Sequence, residues 1–268
     1  MNTARIRELL EPFLRTPIAA SETCHSEPAQ AGAEPAVLSP AQVQDISTYI
    51  DILIRWNARI NLTAVRDPEE IVTRHFGESL FAACHLFPPN VHVRTAAPQL
   101  FPSGVHVGTA AQACPERSRR GCPAERSSAA LTLADLGAGT GFPGLPIKLW
   151  APQISLTLIE SNHKKATFLR EVTRALTLTD VDIQNIRAET VTGKTFDVVT
   201  LRAVERFESI LPVAAALVRP AGSLALLIGT SQQGQAQARL PRLTWSDPIS
   251  VPASKSRILL IGQRERTS

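Results

Sequence analysis

The chain is poor in the residues that would mark a metal centre, a membrane span or a redox site. Its four cysteines, Cys24, Cys84, Cys114 and Cys122, show no C-x-x-C spacing and no matching histidine set. Free thiols are therefore expected, with no disulfide framework and no bound metal. No apolar run approaches the roughly 20 residues needed to span a bilayer, so no membrane partner is expected. The first residues, Met1-Asn-Thr-Ala-Arg-Ile-Arg-Glu8, carry charges with no long apolar run behind them. A secretory leader is not expected, and a cytoplasmic location is. The one tyrosine, Tyr49, has no lysine four residues on, which removes the Tyr-x-x-x-Lys pair used by many nicotinamide-dependent oxidoreductases. Charge of either sign is scarce in excess: 28 Lys and Arg against 24 Asp and Glu leave a net +4. That balance favours an anionic partner such as nucleic acid without requiring one.

What is present centres on residues 131–147. Leu131, Leu133 and Leu136 alternate as in a strand, Asp135 falls near its end, and Gly137, Gly139 and Gly141 follow at intervals of two before an amphipathic stretch. A strand, a tight turn and a helix start of this kind form the entry to a nucleotide-type site in an α/β sheet. Two frames fit. Gly139-Thr-Gly141-Phe-Pro-Gly144 satisfies G-x-G-x-x-G, and Glu160 stands about twenty residues on, where a ribose-binding acid belongs. Framed two residues earlier, Asp135-x-Gly137-x-Gly139-x-Gly141 resembles motif I of methyltransferases that use S-adenosylmethionine (SAM). A pyrophosphate wants free N–H groups at a bare positive helix end. Pro143 removes one such donor and Asp135 adds a negative charge, whereas SAM carries a sulfonium and an amino group and tolerates both. SAM is favoured.

Along the chain, residues 1–15 have the spacing of a short amphipathic helix (Ile6, Leu9, Leu10, Phe13, Leu14), and the Ala-, Ser-, Glu- and Pro-rich run over 16–38 is a flexible linker by composition. Ser39 then caps a helix with Pro40 at its first position and Gln42 closing a capping box. Asp67-Pro68-Glu-Glu70 opens another by the same logic, carrying Arg74, His75, Glu78 and Ser79. Residues 39–87 make a helical cap. Residues 88–130 break the pattern: Val91-His-Val-Arg-Thr-Ala-Ala97 recurs as Val105-His-Val-Gly-Thr-Ala-Ala111. A duplication this short and this free of periodicity is a low-complexity insert, expected to be disordered and without chemistry.

From Leu131 to the end of the chain at 268, strands and helices alternate, with strands over 154–159, 181–186, 196–201 and 222–228, helices over 162–176 and 206–218, and a polar loop over 231–241. Stretches near 242–251 and 256–262 suit a closing antiparallel pair. Such alternation means a parallel-dominated sheet with helices on both faces. Ligands bind outside the carboxyl ends of its strands. Asp135, Glu160, Arg187 to Glu189 and Arg202 all fall at or just past such ends.

At this point several motifs taken in order carry a specific likeness: Asn61-Leu62-Thr63, Val65-Arg66-Asp67, Arg74-His75, Gly137-Ala-Gly139-Thr-Gly141-Phe-Pro-Gly144-Leu-Pro146, Lys164-Lys165-x-x-Phe168-Leu169 and Arg202-Ala203. Together they resemble the bacterial 16S ribosomal RNA guanine-N7 methyltransferases, the glucose-inhibited division protein B family, over about residues 40–262 without the insert. The resemblance implies an α/β class I SAM-dependent methyltransferase fold, Rossmann-like, with a mostly parallel seven-stranded sheet and an amino-terminal helical cap. It implies SAM as methyl donor, 16S rRNA of the small ribosomal subunit as partner, no metal, and a monomer. The SAM-binding positions it implies are Gly137, Phe142, Ala188, Glu189 and Arg202. Asp135, Gly139, Gly141 and Glu160 join them from the turn and the strand ends, with Glu160 accepting from the ribose hydroxyls and Asp135 either near the methionine moiety or fixing the glycine turn.

Guanine N7 presents its own lone pair, so no catalytic base is expected, and His75 and His163 are assigned none. The strand ending at Leu201 does not lead into the Asn/Asp-Pro-Pro-aromatic turn used on exocyclic amines. No cysteine stands where a pyrimidine-C5 enzyme needs its nucleophile. Arg66, Arg74, Lys164 and Lys165, with Arg55 and Arg59, are the candidates for contacts to RNA phosphates. Two positions depart from the family pattern: Glu78 stands where it has aspartate, and Ile228 where it has a lysine. The alternatives are an NAD(P)-dependent oxidoreductase, a SAM enzyme with another acceptor, and a silent RNA-binding relative.

Overall fold

A computed structural model describes residues 1–15, 37–88, 130–202 and 207–266. The expected linker over 16–38 and insert over 88–130 lie almost wholly outside the described residues.

Helix α1 (Thr3–Leu14) is amphipathic and buries Ile6, Leu10, Phe13 and Leu14. Helix α2 (Pro40–Ile60) begins as its first residues dictate: Ser39 Oγ accepts from the Gln42 N–H, and the Gln42 side chain accepts from the Ser39 N–H. It ends at Asn61, in the left-handed region at φ 47°. Asp67 caps α3 (Pro68–Glu70) by accepting from the Glu70 N–H at 2.8 Å. The helix continues through a π-helical stretch, Ile71–Gly77, into α4 (Glu78–Leu86). Sequence periodicity did not predict the π segment, whose i→i+5 register is set by its surroundings.

The sheet contains β1 (Thr132–Leu136), β2 (Ser155–Ile159), β3 (Val181–Gln184), β4 (Phe196–Arg202), β5 (Val218–Gly229), β6 (Leu243–Trp245), β7 (Ile249–Ser250) and β8 (Arg257–Arg264). Seven strands lie in the order β3-β2-β1-β4-β5-β8-β6, and the two-residue β7 pairs with β8 as an eighth. Strands β1 to β5 run parallel, while β8 is antiparallel to β5 and β6 to β8. Helices α5 (Gly144–Trp150) and α6 (His163–Ala175) precede α7 (Phe207–Leu217) and α8 (Gln233–Arg239). The stretch expected as a polar loop over 231–241 is instead a 3₁₀ turn, Thr230–Gln232, running into α8. Its apolar signal is thin because only Ala236 and Leu240 face the core there.

Alternation along each strand splits the interior into two layers. Leu133, Leu156, Leu158, Val198 and Leu227 face α1, α2, α4, α5 and α6; Ala134, Leu136, Val199, Leu201 and Leu226 face α7 and α8. The cap helices therefore share one core layer with the sheet. Polar bonds seat them: Gln42 Nε2 donates to the Leu149 carbonyl at 2.7 Å, Trp56 Nε1 to Glu171 at 2.9 Å and Trp150 Nε1 to the Phe87 carbonyl at 2.8 Å. Among the described residues no helix is long and apolar enough to cross a membrane.

Candidate active site

The turn after β1 is built from glycines in the left-handed region: Gly137 at φ 66°, Gly139 at 57° and Gly141 at 85°. At Gly141 a side chain is excluded twice, by φ and by space, since a Cβ would lie 2.6 Å from Leu145 Cδ1 and against the Tyr49 hydroxyl. At Gly139 the reverse holds. A Cβ there would meet nothing nearer than the Gly137 carbonyl at 3.7 Å, so the turn has open space in front of it.

Five N–H groups of this turn and the helix start after it are already committed. Gly137 and Ala138 donate to the Ile159 carbonyl at 2.9 and 3.1 Å, and Gly141 donates to the Ala138 carbonyl at 2.6 Å. Gly139 donates to Glu160 Oε2 at 2.8 Å, and Gly144 donates to Asp135 Oδ2 at 2.9 Å. Pro143 has none to give. A pyrophosphate would find two carboxylates and few donors, which argues against a dinucleotide on physical grounds.

Asp135, expected either near the ligand or fixing the turn, is buried and does the second. Its Oδ1 accepts from Thr200 Oγ1 at 3.0 Å while Oδ2 holds Gly144. Burial pushes its carboxyl up to about 7, against the lowering pull of those two donors. Glu160, just past β2, accepts from Gly139 on one oxygen and from the Asn162 N–H at 2.7 Å on the other. Asn185, just past β3, donates to the Glu160 and Ser161 carbonyls at 2.8 and 3.0 Å. The ends of β1, β2 and β3 are thus tied into one edge.

Phe142 lies behind that edge. Its ring is buried, stacked with Tyr49 (centroids 5.3 Å apart) and with His75 (4.8 Å), and set edge-on to Phe76. Phe142 was expected among the SAM-binding positions; its ring packs against the cap. Tyr49 also donates its hydroxyl to the Thr140 carbonyl. Ala188, in a 3₁₀ turn, packs among the residues facing α7, and Glu189 beside it is exposed.

Arg202 ends β4 as expected but its guanidinium is buried, turned into the cap. It donates to the Arg74 and His75 carbonyls of the π segment and lies 3.1 Å from Glu78 Oε2. Arg257 lies 3.1 Å from the same oxygen. Burial lowers the Arg202 pKa to about 10 despite Glu78, so it stays charged at neutral pH. The methylene by which Glu78 exceeds aspartate lies in the reach to these two arginines. His75 is held between Arg202, whose Nη2 is 3.3 Å from Nδ1, and Thr63, whose Oγ1 is 3.0 Å from Nε2. Arginine can only donate, so Nδ1 accepts and Nε2 carries the proton. Burial first, then Arg202, Arg74 and Arg257, lowers the His75 pKa to about 3. Three motifs far apart in sequence, Asn61-Leu-Thr63, Arg74-His75 and Arg202, meet here. Tyr49, Glu78 as an ion-pair partner, and Arg257 were not legible in the sequence. Their signals are single residues in ordinary helix and strand patterns.

Ile228 is buried on the α7 side. Of the RNA candidates, Arg55 and Arg59 are exposed on α2. Arg66 is exposed and donates to Asn61 Oδ1 at 2.8 Å, while Arg74 pairs with Glu70 at 2.6 Å. Lys164 and Lys165 lie in the first turn of α6, capped by Asn162. His163 is exposed beside Asn185. Cys84 is free and buried; Cys24, Cys114 and Cys122 lie outside the described residues. Among the described residues no three His, Cys, Asp or Glu groups are placed to hold a metal.

A glycine turn, two strand-end acids and a helical cap on a parallel sheet with an antiparallel last hairpin define a class I methyltransferase. The model of the family rRNA small subunit methyltransferase G matches residues 42–91 and 123–257. Ribosomal RNA small subunit methyltransferase G of Xanthomonas campestris pv. campestris (strain B100) is 36% identical over 208 residues, covering 76% of this chain and 78% of that protein. Those of Xanthomonas euvesicatoria pv. vesicatoria (strain 85-10) and Xylella fastidiosa (strain 9a5c) are each 32% identical, covering 87% and 85% of this chain and 92% and 90% of theirs. The chain belongs to the rRNA small subunit methyltransferase G family. The expected function, SAM-dependent methylation of guanine N7 in 16S rRNA, is the one this membership supports, and the oxidoreductase alternative is set aside.

Proposed function

We propose that SAM lies against the turn after β1, in the open space before Gly139. Gly137, Gly139 and Gly141 line it with backbone, and Ala188 and Glu189 flank it from the end of β3. The observation that carries this reading is the bond from Gly139 to Glu160. It holds a strand-end carboxylate beside an unfilled turn, with lone pairs left for ribose hydroxyls. Asp135 acts as a positioning residue by holding Gly144. Phe142 and Arg202, expected as direct contacts, support the site from behind by locking the cap to it.

SAM supplies the electrophilic methyl group. Guanine N7 supplies its own lone pair, so the residues of this chain need only hold the base in line and exclude water. N7 in folded RNA is presented when the base is unstacked. Arg66, Arg74, Lys164 and Lys165, together with Arg55 and Arg59, would contact phosphates. Two lysines in the first turn of α6 are disfavoured by the helix dipole, a placement that binding to a polyanion would explain. The protein then acts where assembling small subunits are found, in the cytoplasm.

The test is transfer of labelled methyl from SAM to small ribosomal subunits lacking the modification, followed by nucleoside analysis. Labelled 7-methylguanosine is expected, with Glu160→Gln weakening SAM binding about tenfold or more. Label in another nucleoside, or none with SAM still bound, would overturn the acceptor assignment.

A further inference from the structure

Between α1, the π segment and the loop joining β7 to β8 lies a cavity of 360 Å³, lined by Phe13, Thr73, Arg74, Glu78, Lys255 and Arg257 among others. Because β8 runs antiparallel to β5, Arg257 pairs in register with Gly229 at the carboxyl end of β5. That is the sheet edge where Glu160 and Arg202 stand. The cavity therefore adjoins the proposed site on its cap side.

Its electrostatics are unbalanced. Glu78 Oε2 is shared between Arg202 and Arg257, each at 3.1 Å, with no aligned hydrogen bond to that oxygen. Arg257 Nε is buried and makes no hydrogen bond among the described residues. Arg74, whose side chain is 53% exposed, has Glu70 as its partner at 2.6 Å. Lys255 is exposed, and no carboxylate among the described residues lies within ion-pair distance of it. Four cations thus gather around two carboxylates. The loop that carries Lys255 and leads into Arg257 is tightly made: Ala253 takes φ 56°, the Ser254 N–H donates to the Val251 carbonyl at 3.3 Å, and Ser254 Oγ accepts from the Arg257 N–H at 3.2 Å.

We infer that this cavity is a phosphate-binding pocket for the RNA substrate. A backbone phosphodiester enters from solvent between Arg74 and Lys255, meets Arg257, and offsets the surplus charge around Glu78. The inference rests on the proposed function and adds to it the place where the strand flanking the target guanosine is anchored. It also assigns a role to Lys255, in the loop before β8, and to Arg257, the first residue of that strand. A charged pocket of this kind carries no sequence information; it sets the register of the RNA over the site.

The test is a titration of the full chain with small-subunit 16S rRNA between 50 and 200 mM KCl, run beside the methyl-transfer assay and a SAM titration. Lys255→Glu should weaken RNA binding at least tenfold. Lys255→Ala should reduce the slope of log affinity against log salt by about 0.7 to 0.9, the loss of one phosphate contact. SAM affinity should not change. Arg257→Lys should bind RNA better than Arg257→Gln, which separates charge from packing. The control is Lys194→Glu, an exposed change of the same charge just before β4, at the opposite edge of the sheet. Unchanged affinity and slope in both Lys255 variants, or an equal loss in the control, would overturn the pocket. If the unaltered chain binds this RNA but transfers no methyl to small subunits, the acceptor assignment fails, and the salt slope still decides the pocket.

Discussion

Burial disfavours the charged form of both Asp135 and His75, and so shifts their proton affinities in opposite directions. The folded protein holds the Asp135 proton up to about pH 7, whereas the unfolded chain releases it near 3.8. Its contribution to stability is fullest below 3.8 and is lost as pH rises to 7. His75 takes a proton near 6.5 when unfolded but only near 3 when folded. Its contribution is full above 6.5 and is lost as pH falls. From about pH 4 to 6.5 the two slopes oppose each other, each at most about 1.4 kcal/mol per pH unit. Urea midpoints across that window should be flat in the unaltered protein. Asp135→Asn should make them rise with pH, and His75→Gln should make them fall; two flat variants would refute both assignments. Gly141→Ala belongs to the same scale. Positive φ and the contact with Leu145 should together cost about 2 kcal/mol or more, seen as a lower melting temperature and weaker SAM binding. The glycine spacing was legible in the sequence. That Asp135 would hold the Gly144 N–H was not singled out there, because Asp135 and Glu160 both end strands.

At the level of elements, the helix starts are local matters and were legible: Ser39 with Gln42, and Asp67 with Glu70, act within one turn. What joins the elements was not. Tyr49 of α2 reaches the Thr140 carbonyl in the turn after β1, across 91 residues of chain. Tyr49→Phe keeps the ring stack on Phe142 but takes the donor from a half-buried carbonyl, a loss of about 1 kcal/mol. SAM affinity should fall with stability if this bond holds the turn in shape. A variant that melts lower yet binds SAM as before would confine Tyr49 to packing. The π segment and α8 were missed for a related reason. Register and helix formation there follow from what the residues pack against, and their own periodicity is weak.

The cap and sheet share one core layer, so the molecule should unfold as a unit. Far-ultraviolet circular dichroism follows every helix, while fluorescence reports Trp56 in the cap, Trp150 at the cap's edge and Trp245 on β6. Their thermal transitions should coincide, and an early fluorescence change would mean that the cap detaches first. At this scale the order of strands and helices, the glycine turn and the likeness to one family were properties of the sequence by itself. They depend on hydrophobic period, backbone freedom and residue spacing, which act over a few positions. Only the tertiary structure decided that Phe142 would face Tyr49 and His75, that Arg202 would turn to Glu78 and the π segment, and that Lys255 and Arg257 would border one cavity with Arg74. Those pairings join residues up to 183 positions apart, as Arg74 and Arg257 are. They arise because burying one face of the sheet under the cap forces each charge it traps to find a partner.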